Sequence, residues 1–82
     1  MNESVRLLAE LLEMEPEFLE DCLRCGALGA EDLPRPDAPL PVGRAARLRR
    51  LRRLCLSLEV EVYAGAIIVD LLERLEAMER RR

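Results

Sequence analysis

The side chains able to do chemistry in this 82-residue chain are few and of few kinds. Three cysteines are present, and Cys22 and Cys25 form a C-x-x-C pair. Two thiolates at that spacing can chelate zinc or act as a redox couple. A structural zinc takes four ligands. Cys55 would be a third, and the chain has no histidine to supply the fourth. On a helix, the spacing turns Cys22 and Cys25 toward an apolar face, which favours buried structural thiols over ligands. We therefore expect no metal site and no cofactor. Lack of histidine also removes the imidazole acid, base and nucleophile-activating roles. Only Ser4, Ser57 and Tyr63 remain as hydroxyl groups. No nucleophile–base pair can be assembled from these types, so the chain does not read as an enzyme.

What the sequence has in abundance is charge. The net value is −3, with 35% charged and 50% hydrophobic residues. That balance is too apolar for a disordered chain and too charged for a membrane protein. The distribution says more than the total. Residues 1–33 carry nine acids against Arg6 and Arg24, net −7. Residues 34–58 carry seven arginines against Asp37, net +6. Residues 59–82 carry six acids against four arginines, net −2. Such blocks either form separate surfaces with separate partners or attract one another within one fold. All thirteen basic residues are arginine, and there is no Gln, no Thr and a single Asn. Scarcity of thermolabile amides fits a thermophile, although lysine enrichment is the commoner hyperthermophile signal.

These residues need elements to position them. Val5, Leu8, Leu11 and Leu12 recur at helical spacing, which predicts an amphipathic helix over 4–13 with Ser4 as its N-cap. Pro16 suits the first turn of a second helix, Glu17, Glu20 and Asp21 complement its dipole, and Gly26 is a natural terminator. Phe18, Leu19, Cys22 and Leu23 form its buried face. Residues 4–25 thus outline a helix-turn-helix. Residues 33–41 read LPRPDAPLP, a stiff connector whose prolines exclude helix and central strand.

A basic helix is expected over 43–58, with Leu48, Leu51, Cys55 and Leu58 on one face. The pattern breaks between Ser57 and Glu61, where a turn and a continuous helix are both possible. A last helix is expected over 62–80, with Ala64, Ile68, Leu71, Leu75 and Met78 spaced as an a/d seam. Ile67 and Leu72 widen that seam, and Gly65 permits close approach of another element. The stripe can pack on its own domain, on a second copy, or on both. Together these elements make 1–82 a single all-α domain.

The longest apolar run, Val62 to Val69, is too short to span a bilayer. Met1-Asn2-Glu3-Ser4 is not the start of a signal peptide, and Glu10 and Glu13 interrupt any apolar core of one. A cytoplasmic location follows, and an odd cysteine count agrees with it.

If the helix-turn-helix read DNA, the 16–25 helix would enter the major groove. Its exposed residues would be Glu17, Glu20, Asp21 and Arg24, so three acids would face a polyanion. Reading helices normally also carry Arg, Lys, Asn or Gln. Electrostatics oppose that docking and suit a basic protein partner. The run Arg44–Arg53 holds six arginines in ten residues and could neutralise phosphates, but no aromatic is interleaved for base stacking. The bland alternative is a solvated or acid-paired helix face.

The order helix-turn-helix, wing-like connector, RLRRLRRL helix and terminal dimer-type helix resembles the MerR-like fold. More closely it resembles the chaperone-modulator (CbpM-type) family and the related DafA-type DnaK–DnaJ assembly factors of thermophilic bacteria. The residues that carry the likeness are Leu8-Ala9-Glu10-Leu11, Leu19, Gly26-Ala27-Leu28, Arg47-Leu48-Arg49-Arg50-Leu51 and the stretch Ala64 to Glu76. DNA-binding members usually carry Arg and Tyr in the second helix, where Glu20 and Asp21 stand here. A regular wing hairpin does not fit the proline-rich connector, and no C-terminal effector domain for drug or metal sensing is expected.

The resemblance implies a protein that binds the J-domain of a DnaJ-type co-chaperone, and also DnaK in the assembly-factor version. Glu17, Glu20, Asp21 and Arg24 are the expected partner surface, with Arg47, Arg50 and Arg53 as a second contact. Ala64, Ile68, Leu71, Leu75 and Met78 are the expected oligomerisation residues. The runner-up reading is a small MerR-like DNA-binding regulator using the arginine helix. A purely structural dimer module is a third.

Overall fold

A computed structural model describes residues 3–26 and 42–81. Among the described residues there are four helices and no strand: α1 (Glu3–Leu12), α2 (Pro16–Arg24), α3 (Val42–Leu58) and α4 (Val62–Glu79). The 33–41 connector lies outside the described residues. The fold class is all-α, as the periodicities predict. Ser4, expected as an N-cap, instead lies inside the first turn of α1.

Each helix ends for a local reason. After α1 the Met14 amide donates to the Ala9 carbonyl at 3.0 Å and the Glu13 amide to the Glu10 carbonyl at 3.2 Å. That is a Schellman closure, and Glu13 occupies its left-handed position at φ 57°. Met14, the residue after it, is buried beside Ala9, which is the apolar contact that such a closure favours. α2 starts with Pro16 in its first turn and stops at Gly26, whose φ is 76°. The α3–α4 break is a turn: the Val60 amide reaches the Cys55 carbonyl at 3.2 Å and Glu59 sits at φ 54°. Two helices therefore end on a glutamate where the usual residue is glycine, close to the expected ends at 13 and 58.

The core is built from Val5, Ala9, Leu12 and Met14 of the first helix and turn, Leu19 and Cys22 of α2, Leu48 and Leu51 of α3, and Val69 of α4. α1 packs on α2, α3 on α4, and α2 on α4. Gly65 makes the α3–α4 approach close. A Cβ there would stand 2.5 Å from Cys55 Sγ and 3.1 Å from Leu51 Cδ1. The glycine was expected to allow such an approach.

Several apolar residues face elsewhere than their periodicity suggests. Leu11 is 78% exposed, because Val5, Ala9 and Leu12 complete the buried stripe of α1 without it. Leu58, the last residue of α3, is exposed. On α4 the core contact comes from Gly65 and Val69, with Val62 and Ala66 beside them. The expected seam runs along the opposite side.

Candidate functional site

α2 presents its acidic face to solvent because Leu19 and Cys22 fix the other side in the core. Glu17, Asp21 and Arg24 are exposed and Glu20 is half-buried. Arg24 gives one Nη to Asp21 Oδ1 at 3.1 Å and the other to Glu20 Oε1 at 3.3 Å. One arginine thus answers two of three carboxylates, and the face keeps a negative surplus. These solvent-exposed pairs contribute little to stability. An open cavity of about 250 Å³ adjoins this face, lined by Asp21, Arg24, Cys25, Glu61, Val62 and Tyr63. The fold brings the four expected α2 residues together on one surface.

The arginines of α3 are sorted by where they point. Arg47 Nε donates to both oxygens of Glu73, at 3.1 and 3.2 Å. Arg50 holds Glu76 in a two-bond fork at 3.1 and 2.9 Å. Arg52 holds Glu15 the same way at 2.9 and 2.6 Å. Paired bonds of this kind are the stronger ion-pair geometry. Arg52 holds the Glu15 carboxyl down at about 2, from 4.5, chiefly through these hydrogen bonds. Arg50 lowers Glu76 in the same way. Two of the expected second-contact residues, Arg47 and Arg50, are thus engaged by the chain's own α4. Arg53 is exposed and has no ion pair among the described residues. The central and terminal charge blocks do attract each other within the fold, and Arg52 ties α3 to the α1–α2 turn.

The Glu15–Arg52 tether was not anticipated from the sequence, where Glu15 was given no role. A signal for the other two pairs was present: Arg47 and Arg50 are three apart, and so are Glu73 and Glu76.

The outward side of α4 is apolar. Leu71 is 56%, Leu75 51% and Met78 64% exposed, and Tyr63 and Ile67 continue the stripe toward the helix start. Ala64 and Ile68 lie half-buried along its edge. On an α-helix these positions share one side, opposite Gly65 and Val69. All five expected oligomerisation residues fall on this stripe.

Cys22 is fully buried, and burial, assisted by the neighbouring Cys25 and Cys55 thiols, pushes it up to about 12. It is protonated and inert at neutral pH. Cys25 and Cys55 are half-buried free thiols. Among the described residues no three His, Cys, Asp or Glu side chains are placed to hold a metal ion. No described helix is long and apolar enough to cross a membrane.

The described residues form a helix-turn-helix pair packed against a two-helix hairpin. The pattern of the MerR HTH family regulatory proteins matches residues 4–82, and the chain belongs to that family. No curated protein and no solved structure matches it.

Proposed function

We propose that this chain is a non-enzymatic modulator or assembly factor of a DnaK/DnaJ chaperone system. It binds the J-domain of a DnaJ-type co-chaperone in the cytoplasm, and in the assembly mode it also engages DnaK. The observation that carries this reading is the negative surplus on α2, the helix that would have to enter a DNA groove. The same surplus complements a basic partner helix. Family membership supports a regulatory rather than catalytic role. The likeness to chaperone modulators and DafA-type assembly factors supplies the partner. The exposed α4 stripe supports pairing with a second copy, with Ala64, Ile68, Leu71, Leu75 and Met78 in contact. Leu71→Glu should then shift the sedimenting species toward monomer.

The test is the affinity for the cognate DnaJ-type protein. Glu20→Arg with Asp21→Arg should weaken it by at least about tenfold, since charge reversal puts like charges in contact. Unchanged affinity would sink the acidic-face reading.

A second reading, a small DNA-binding regulator, is favoured by membership in a helix-turn-helix regulatory family. It predicts binding to a DNA duplex that weakens steeply with salt and is lost on Arg47→Ala and Arg50→Ala. Against it stand the internal pairs already made by Arg47 and Arg50.

A further inference from the structure

The ion pairs leave a remainder on α3. Arg47, Arg50 and Arg52 are each held by a carboxylate of the chain itself. Arg49 and Arg53 are exposed and make no ion pair or hydrogen bond among the described residues. The two are four apart, so their side chains are neighbours on one ridge of the helix. Ala46 precedes them on the same ridge and is exposed. Leu56 follows three residues after Arg53 and is 64% exposed. No acid of α3 interrupts the line, because α3 contains none.

We infer that the Ala46–Arg49–Arg53–Leu56 ridge is a second docking surface, for an acidic segment of a partner protein that also offers an apolar side chain to Leu56. The two guanidinium groups supply the charge complement. The small Ala46 lets a partner backbone approach, and Leu56 supplies an apolar anchor at one end. Nucleic acid fits less well. Two free arginines would release few counterions from phosphates, the whole chain carries net −3, and a leucine offers nothing to a phosphate backbone. The ridge and the acidic α2 face have opposite signs and lie on different helices. The chain is thereby suited to hold a basic and an acidic partner at once, which favours bridging over simple competition. The choice of probes rests on the chaperone reading proposed above.

The experiment measures binding of the intact chain to purified cognate DnaK, the second partner in the assembly mode proposed above, and separately to the DnaJ-type protein. Arg49→Glu with Arg53→Glu should weaken DnaK binding by at least about tenfold and leave DnaJ-type binding unchanged. Glu20→Arg with Asp21→Arg should do the reverse. Leu56→Ser should weaken DnaK binding alone. Failure of the wild-type chain to bind DnaK, or equal binding by the Arg49/Arg53 variant, overturns the ridge assignment. Loss of DnaJ-type binding in that variant overturns the separation of the two surfaces. Failure to bind the DnaJ-type protein at all counts against the chaperone reading, whatever DnaK does. A duplex DNA of random sequence and sedimentation of the free chain complete the set. If the reversal abolishes DNA binding, or dissociates a dimer, the occupant is nucleic acid or a second copy and the assignment is wrong.

Discussion

Gly65→Ala tests the packing on which the charged faces depend. In a solvent-exposed helix interior this change is stabilising by about 1 kcal/mol, because alanine is the better helix former. Here the added Cβ would stand 2.5 Å from Cys55 Sγ and 3.1 Å from Leu51 Cδ1. Leu51 is buried in the core, and the Cys55 thiol points at the Glu61 carbonyl, 3.8 Å away. Overfilling a packed contact costs about 1–3 kcal/mol. The net expectation is a loss of about 1 kcal/mol, or about 4–8 °C in Tm for a domain of this size. The measurement is thermal unfolding followed by circular dichroism, repeated in a Cys55→Ala background. Removing Sγ takes away the nearest clash, and Leu51 Cδ1 is the tip of a flexible side chain. In that background Gly65→Ala should be neutral or stabilising. The cycle should therefore show a coupling of about 1–2 kcal/mol, within the range for residues in contact. A wild-type background in which Gly65→Ala raises Tm, or equal effects in both backgrounds, would refute the close approach of α3 and α4.

Two further outcomes follow from local geometry. Glu59→Gly should stabilise the chain by about 0.5–1 kcal/mol, because a left-handed backbone costs an L-residue roughly 1–2 kcal/mol and the glycine recovers part of it; a lower Tm for this variant would contradict the turn. The Glu15 carboxyl titrates near 2 in the fold against an ordinary 4.5, so the unfolded chain binds the proton more readily. Its contribution is present above about pH 4.5 and is lost as pH falls toward 2. Urea unfolding across that window should show a decline that Glu15→Gln flattens, and a variant with an unaltered slope would mean that Arg52 does not hold Glu15 in solution.

Much of the architecture was legible because apolar spacing and proline placement fix helices directly. Pro16, Gly26, the buried Cys22 and the permissive Gly65 all do what their types imply. The left-handed glutamates were not legible, since nothing in an isolated Glu13 or Glu59 signals that tertiary packing will hold its backbone there. Leu11 was misplaced because a leucine count cannot tell which neighbour, here Ala9, completes a stripe. The acidic face of α2 was readable from one helix alone. Which arginines of α3 stay free was not, because that depends on how far α4 and the α1–α2 turn reach across, at sequence separations of 26 and 37 residues.

That last dependence also decides what the charge blocks mean. A central block of net +6 next to acidic neighbours could have cancelled uniformly, leaving a bland surface. Instead cancellation is local. Glu73 and Glu76 take the arginines on the α4 side of α3, and Glu15 takes Arg52. Among the described residues only Arg24, from the same helix, meets the acids of α2. The attraction that ties the helices together is spent where they touch, and the unspent charge is negative on α2 and positive on the outer ridge of α3. α4 shows solvent an apolar stripe that neither charge pattern explains. Under the reading proposed above, these surfaces of different chemistry would each meet a different partner.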